Sequence, residues 1–247
     1  MKNRKWAIAA LSVFSGLALT GCYDNNYCDV DCNADPSGVY EGSATDSVTQ
    51  KTTQVIAIID ENGDGTLSGQ DGTYYRFSVG TSGTSLGGNY QGFNGSNTTT
   101  TSGSISGALT QAGVNIGFNG PNNDTVVATL NFDNVYDLAS SLPTLEGNWS
   151  ATAGSFTLNL KIQPTGDFTG TDTNGCSYNV GNFGIVFTQF NAYTVNFSQT
   201  CNSITDNFSG LASYFPASGS GSNAVPAQIL FMADDGNGGN FISFTLQ

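Results

Sequence analysis

The chain reads as an all-β protein of two tandem antiparallel β-barrel-like modules, with a two-sheet β-sandwich as the alternative. Three observations lead there. Several stretches alternate apolar and polar residues with a period of two, turns rich in glycine and asparagine separate them, and the second half repeats the pattern of the first. Period-two alternation places one strand face on a core and the other in water. Glycine and asparagine supply the backbone conformations that tight hairpins need. No stretch carries the sustained periodicity of an amphipathic helix.

Taken in order, Gly38-Val39-Tyr40-Glu41-Gly42 opens the first half as an aromatic strand, and Gly147-Asn148-Trp149-Ser150-Ala151 opens the second. An apolar strand follows in each, Val55 to Ile59 and Phe156 to Ile162. The turn Gly65-Thr66-Leu67-Ser68-Gly69 parallels Gly166-Asp167-Phe168-Thr169-Gly170, and Tyr75 to Gly80 parallels Tyr178 to Gly181. Further on, Ile105-Ser106-Gly107 parallels Phe208-Ser209-Gly210. Each half closes on an alternating strand, Val126-Ala128-Leu130-Phe132 in one and Ile242-Phe244-Leu246 in the other. Between Thr81 and Thr110, with its Thr98-to-Ser102 run, the composition predicts a loop. Pro143 interrupts the pattern, so the modules are expected at 37–142 and 143–247. Each has about 105 residues, enough for eight short strands and a core of its own.

The spacing of Gly147 and Trp149, softened to Gly38 and Tyr40 in the first half, resembles the glycine-x-tryptophan pair that opens lipocalin-like and avidin-like barrels. That resemblance implies a small closed or nearly closed antiparallel barrel, which removes exposed sheet edges.

The N-terminus adds an address. Lys2, Arg4 and Lys5 precede an apolar stretch from Trp6 to Ala18 that is short for a membrane span, as in a secretory signal. Leu19-Thr20-Gly21-Cys22 resembles the lipobox of bacterial lipoproteins. The resemblance implies a signal peptide over 1–21, removal of it, and acylation of Cys22 with a diacylglycerol thioether and an amide-linked acyl chain such as palmitate. Two or more chains give stable anchoring. Tyr23 follows the cysteine, where an aspartate would signal retention at the inner membrane, so the outer membrane is the expected location. Residues 22–36 form a polar tether in which Cys28 and Cys32 are close enough to pair, and Cys176 and Cys201 form a second expected disulfide.

Charge and composition exclude several functions. Beyond the signal, Lys51, Arg76 and Lys161 stand against all 19 acidic residues, a net charge of −16. A nucleic-acid partner needs a basic footprint that this chain lacks. Histidine is absent, which removes the commonest general base and the usual zinc ligand. The expectation is therefore a protein that is not an enzyme.

Three acidic motifs were weighed for chemistry. Asp60-Glu61-Asn62-Gly63-Asp64-Gly65-Thr66-Leu67-Ser68-Gly69-Gln70-Asp71 resembles an EF-hand calcium loop, with Asp60, Asn62, Asp64, Thr66 and Asp71 as ligands. Strands flank it, however, and position twelve is Asp where Glu is usual, so a metal-free acidic hairpin is the first reading and structural calcium the second. Asp234-Asp235-Gly236-Asn237-Gly238-Gly239 reads as a plain hairpin before the last strand. Asp167 and Asp172 could be imagined as a glycosidase pair, but carboxylates so close on one hairpin seldom flank a shared substrate.

The functional expectation is a lipid-anchored envelope lipoprotein that binds a small or apolar ligand, or a protein or glycan partner. The alternatives are a structural or assembly lipoprotein with no cavity, and a carboxylate-dependent hydrolase. Beyond structural calcium, no cofactor is implied.

Overall fold

The alternating segments form one closed barrel and a second, barrel-like sheet in the computed structural model, which describes residues 34–94, 97–121, 124–221, 224–236 and 241–247. Cys22, Cys28, Cys32 and the signal segment lie outside the described residues. The first sheet comprises β1 (Gly38–Asp46), β2 (Thr52–Ile59), β3 (Asp64–Gly69), β4 (Thr73–Ser82), β5 (Ser85–Asn94), β6 (Asn97–Thr110), β7 (Gly113–Asn119) and β8 (Thr125–Asp133). Each strand pairs antiparallel with the next, and β8 returns to β1 from Val39↔Asp133 to Asp46↔Val126, closing the barrel.

Two 3₁₀ turns, η1 (Asn134–Asp137) and η2 (Leu142–Leu145), lead to the second sheet. It runs through β9 (Gly147–Ala153), β10 (Phe156–Ile162), β11 (Asp167–Asp172), β12 (Ser177–Ile185), β13 (Tyr193–Cys201), β14 (Ile204–Phe215), β15 (Gln228–Asp234) and β16 (Phe241–Leu246). Strand order again follows sequence order. The seam between β9 and β16 is narrower than that of the first barrel: Ser150 and Gln247 exchange one pair of backbone hydrogen bonds, at 2.9 and 2.8 Å.

Aromatic rings fill both interiors. In the first barrel Tyr75 stacks on Phe118 at 4.4 Å between centroids, with Tyr90 and Phe77 edge-on to Phe118. In the second, Phe197 stacks on Phe208 at 5.1 Å and Phe156 on Phe244 at 5.5 Å. Such offset and edge-on contacts add to the burial of large apolar area.

The rings also correct the expected loop between Thr81 and Thr110, which is instead the strand pair β5–β6. A Cβ added to Gly92 would stand 2.7 Å from the Tyr75 ring, and one added to Gly103 would stand 2.8 Å from that of Tyr90. Small residues are needed on these strands because large ones enter from their neighbours. The repeat also slips by two residues at the β2–β3 turn. Gly63 at φ 80° and Gly166 at φ 86° are the matching turn glycines, so Gly166 corresponds to Gly63 and not to Gly65.

A third apolar layer joins the barrels. Val39, Ile56, Ile58 and Tyr74, on the outer face of the first barrel, pack with Leu211, Phe215, Leu230 and Met232 on the outer face of the second. β2 is therefore buried on both faces from Val55 to Ile59, and β15 is buried throughout. Asn191 fixes the connector: its side-chain amide donates to the carbonyls of Val135 and Tyr214, and its side-chain oxygen accepts from Tyr214 N at 3.1 Å. At the same end of the first barrel, the end of the expected tether is already docked, since Ala34 N donates to Gly83 O at 3.1 Å. Cys176 and Cys201 are disulfide-bonded, joining the start of β12 to the end of β13.

Candidate functional site

The proposed calcium ligands do not share a site. Asp60 begins the β2–β3 turn and spends its carboxylate locally, with Oδ1 accepting from the backbone N–H of Asn62 and of Asp64, both at 2.9 Å. Thr66 lies along β3, opposite Ile58 on one side and Arg76 on the other, and is buried at the barrel–barrel contact. Asp71 lies beyond the far end of β3, where its Oδ2 takes a 2.9 Å ion pair from Lys51. Burial opposes the Asp71 charge, but hydrogen bonds from Lys51 and Thr73 prevail and hold its carboxyl below the usual range. Six residues of extended strand, about 20 Å, therefore separate the two ends of the motif. Among the described residues no three histidine, cysteine or acidic side chains are placed to hold a metal ion.

Asp167 and Asp172 are likewise the first and last residues of β11. Asp167 accepts from Thr165 and Asn182, while Asp172 accepts from the Tyr178 hydroxyl and two backbone N–H groups. Both carboxylates serve as turn braces at opposite ends of the strand. Asp234 is also more than a hairpin residue. It is fully buried between the barrels, where Arg76 Nη1 reaches its Oδ1 at 2.8 Å and Tyr74 Oη donates to its Oδ2 at 3.3 Å.

Glu61, in the β2–β3 turn, is less well served. The hydroxyl of Tyr136 in η1 stands beside the buried Glu61 carboxylate and eases the charge, but no well-aligned hydrogen bond reaches either oxygen. Burial first, and then the charges of Asp60 and Asp35, push the Glu61 carboxyl up.

A concave feature of the surface lies elsewhere, on the outer face of β9–β12, as a depression of about 800 Å³. Cross-strand register arranges its floor in two rows. Asn148, Lys161 and Thr169 form one. Ser150, Asn159, Thr171 and Ser177 form the other. Asn179 extends the floor and donates to Ser177 Oγ at 3.0 Å. No carboxylate lines it. One β-bulge lies at its edge: β12 carries an extra residue between Asn179 and Gly181, which shifts its register against both β11 and β13, and bulges re-aim side chains and bend strands. Val180, in this bulge, is 86 % exposed and sits at φ 51°.

Sequence reasoning singled out none of this surface, although a signal was present. The outward positions of β10 read Thr, Asn, Lys, whereas β2 reads Val-Ile-Ala-Ile-Ile without a polar break. No family model, no curated protein and no solved structure matches the chain.

Proposed function

We propose that the chain is a lipid-anchored envelope lipoprotein, held in the outer membrane through acylated Cys22, whose paired barrels serve as a non-enzymatic binding platform. The partner is met on the outer surface and not in a barrel interior. The observation that carries this reading is the packing of both interiors by stacked rings, Tyr75 on Phe118 and Phe197 on Phe208, set against a polar depression left open on the outside of β9–β12. Cargo-carrying barrels need an interior kept free of side chains.

Two measurements test it. Cys22→Ser should abolish incorporation of labelled palmitate and leave the signal-bearing form uncut; unchanged labelling overturns the anchor. Native mass spectrometry of the protein purified from its host envelope should show no tightly held small molecule within the barrels. A stoichiometric apolar cargo overturns the surface-platform reading.

A further inference from the structure

The depression on β9–β12 occupies the same place in the second barrel that the docking face occupies in the first. Cross-strand register makes the match residue by residue. Val39, Ile58 and Thr66 form one row across β1–β3, as Asn148, Lys161 and Thr169 do across β9–β11. Ile56, Ser68 and Tyr74 form the next, as Asn159, Thr171 and Ser177 do. Arg76 follows Tyr74 by two residues, and Asn179 follows Ser177 by two.

The first barrel shows what this face can do. Its apolar floor of Val39, Ile56, Ile58 and Tyr74 accepts the apolar side of β14–β15, and its one cation, Arg76, accepts the carboxylate of Asp234. In the second barrel the apolar floor is replaced by amides and hydroxyls, and the cation, Lys161, stands at the place of Ile58 and not of Arg76. Lys161 has no carboxylate partner among the described residues, whereas Lys51 and Arg76 are both ion-paired. A face with planar amides, hydroxyls and one ammonium group, lined by no carboxylate in a chain of net charge −13, suits a ligand rich in hydroxyls that bears an anion.

We propose that the outer face of β9–β12 binds an acidic glycan, with Asn148, Asn159 and Asn179 hydrogen-bonding sugar hydroxyls and Lys161 pairing with a sugar carboxylate or phosphate. This rests on the surface-platform reading and names its ligand. The contrast between the two faces also fixes the direction of the change: the apolar version is covered within the chain, and the polar version is open to a hydrated partner.

The test uses the detergent-solubilised full-length protein on an immobilised panel of oligosaccharides bearing uronic acid, sialic acid or sugar phosphate, each matched to a neutral counterpart. Binding to acidic members is expected, reduced at least about tenfold by Lys161→Met and by Asn159→Leu. Ser106→Ala, on the first barrel, should leave binding unchanged. Retention by the uronic and sialic members alone assigns the anion as carboxylate, and by the phosphate members alone as phosphate. Binding of the neutral members as tightly as the acidic ones overturns the role of Lys161. Binding of none, with the variants folded, overturns the glycan. A photo-crosslinking residue at position 159, used in cells, separates the two readings. Capture of a protein, including a second copy of this chain, overturns the glycan and keeps the platform, and capture of nothing together with a silent panel overturns both.

Discussion

Arg76 Nη1 stands 2.8 Å from Asp234 Oδ1, and the two residues belong to different barrels. The arginine is further held by Gln91 Oε1, which accepts from Nη2 at 2.8 Å. The aspartate is fully buried and accepts from Gly236 N as well. The only charge pair at the contact between the modules is thus seated in an apolar layer, among the described residues, and it fixes how one barrel is turned against the other.

Removing the arginine should cost more than the pair's own worth, because it strands a buried carboxylate. Burial pushes the Asp234 carboxyl up, and Arg76 is the main influence pulling it down. Arg76→Met should therefore destabilise the protein by about 3 kcal/mol at neutral pH. A carboxyl raised in the folded state favours folding when protonated and loses that advantage as pH rises through its folded-state value. The deficit should accordingly shrink as the pH is lowered, toward pH 4, and the carboxyl is progressively neutralised. Urea unfolding at the two pH values checks this, and an equal deficit at both counts against it.

The shared apolar layer should make the two barrels unfold as one. Ile58 is fully buried at its centre, and the matching residue of the second barrel is Lys161. Ile58→Lys therefore installs at the docking face what the open face already carries. Burying a lysine there and losing the isoleucine contacts should weaken the contact by about 3 kcal/mol or more. Scanning calorimetry should show one transition for the wild type and two for the variant. A single transition in both would mean that the barrels are coupled mainly through the connector.

The barrels were legible in the sequence and their contact was not, for a physical reason. Alternation reports one buried face, so strands such as β10 (FTLNLKI) and β13 (YTVNFSQTC) stood out. A strand buried on both faces loses its alternation. The runs Val55–Ile59 and Ile229–Ala233 are such strands, and together they mark the interface. The segment from Thr81 to Thr110 was lost for the opposite reason. Its inward positions include Gly92 and Gly103, which leave room for Tyr75 and Tyr90, so no hydrophobic pattern remained to be read. The calcium-like motif does not bring its two ends together, because spacing along a chain fixes convergence only in a loop. Here the chain from Asp64 to Gly69 is extended strand, which carries Asp71 away from Asp60.

Glu61 offers a second pH test of opposite practical sense. No well-aligned hydrogen bond reaches its buried carboxylate oxygens, and burial and then neighbouring acids push the carboxyl above its ordinary value of 4.5. Folding thus favours its protonated form, and the stability it contributes is present at acid pH and lost as pH rises through the folded-state value. Glu61→Gln keeps the shape and removes the charge. Its melting temperature should match the wild type near pH 4 and exceed it at pH 7. A variant that melts lower at pH 7 would show that the ionised carboxylate is satisfied by a bound cation or ordered water, and would reopen the question of metal at this turn.

Val180 supplies the last prediction, because it breaks a local rule beside the open face. A β-branched residue at φ 51° is strained, at a cost of roughly 1–2 kcal/mol relative to glycine in the same conformation. The side chain is 86 % exposed, so packing returns little of that cost. Val180→Gly should therefore stabilise the protein by roughly 0.5–1 kcal/mol, the remainder being lost to the greater freedom of glycine in the unfolded chain. Val180→Ala retains the Cβ and should gain less. Chemical denaturation of the three proteins gives the ranking directly. If glycine stabilises as expected, strain in the β12 bulge persists at the rim of the depression despite its cost. The same two variants can then be placed on the oligosaccharide panel, where a binding loss in the more stable protein would assign Val180 to holding the bulge in its binding shape.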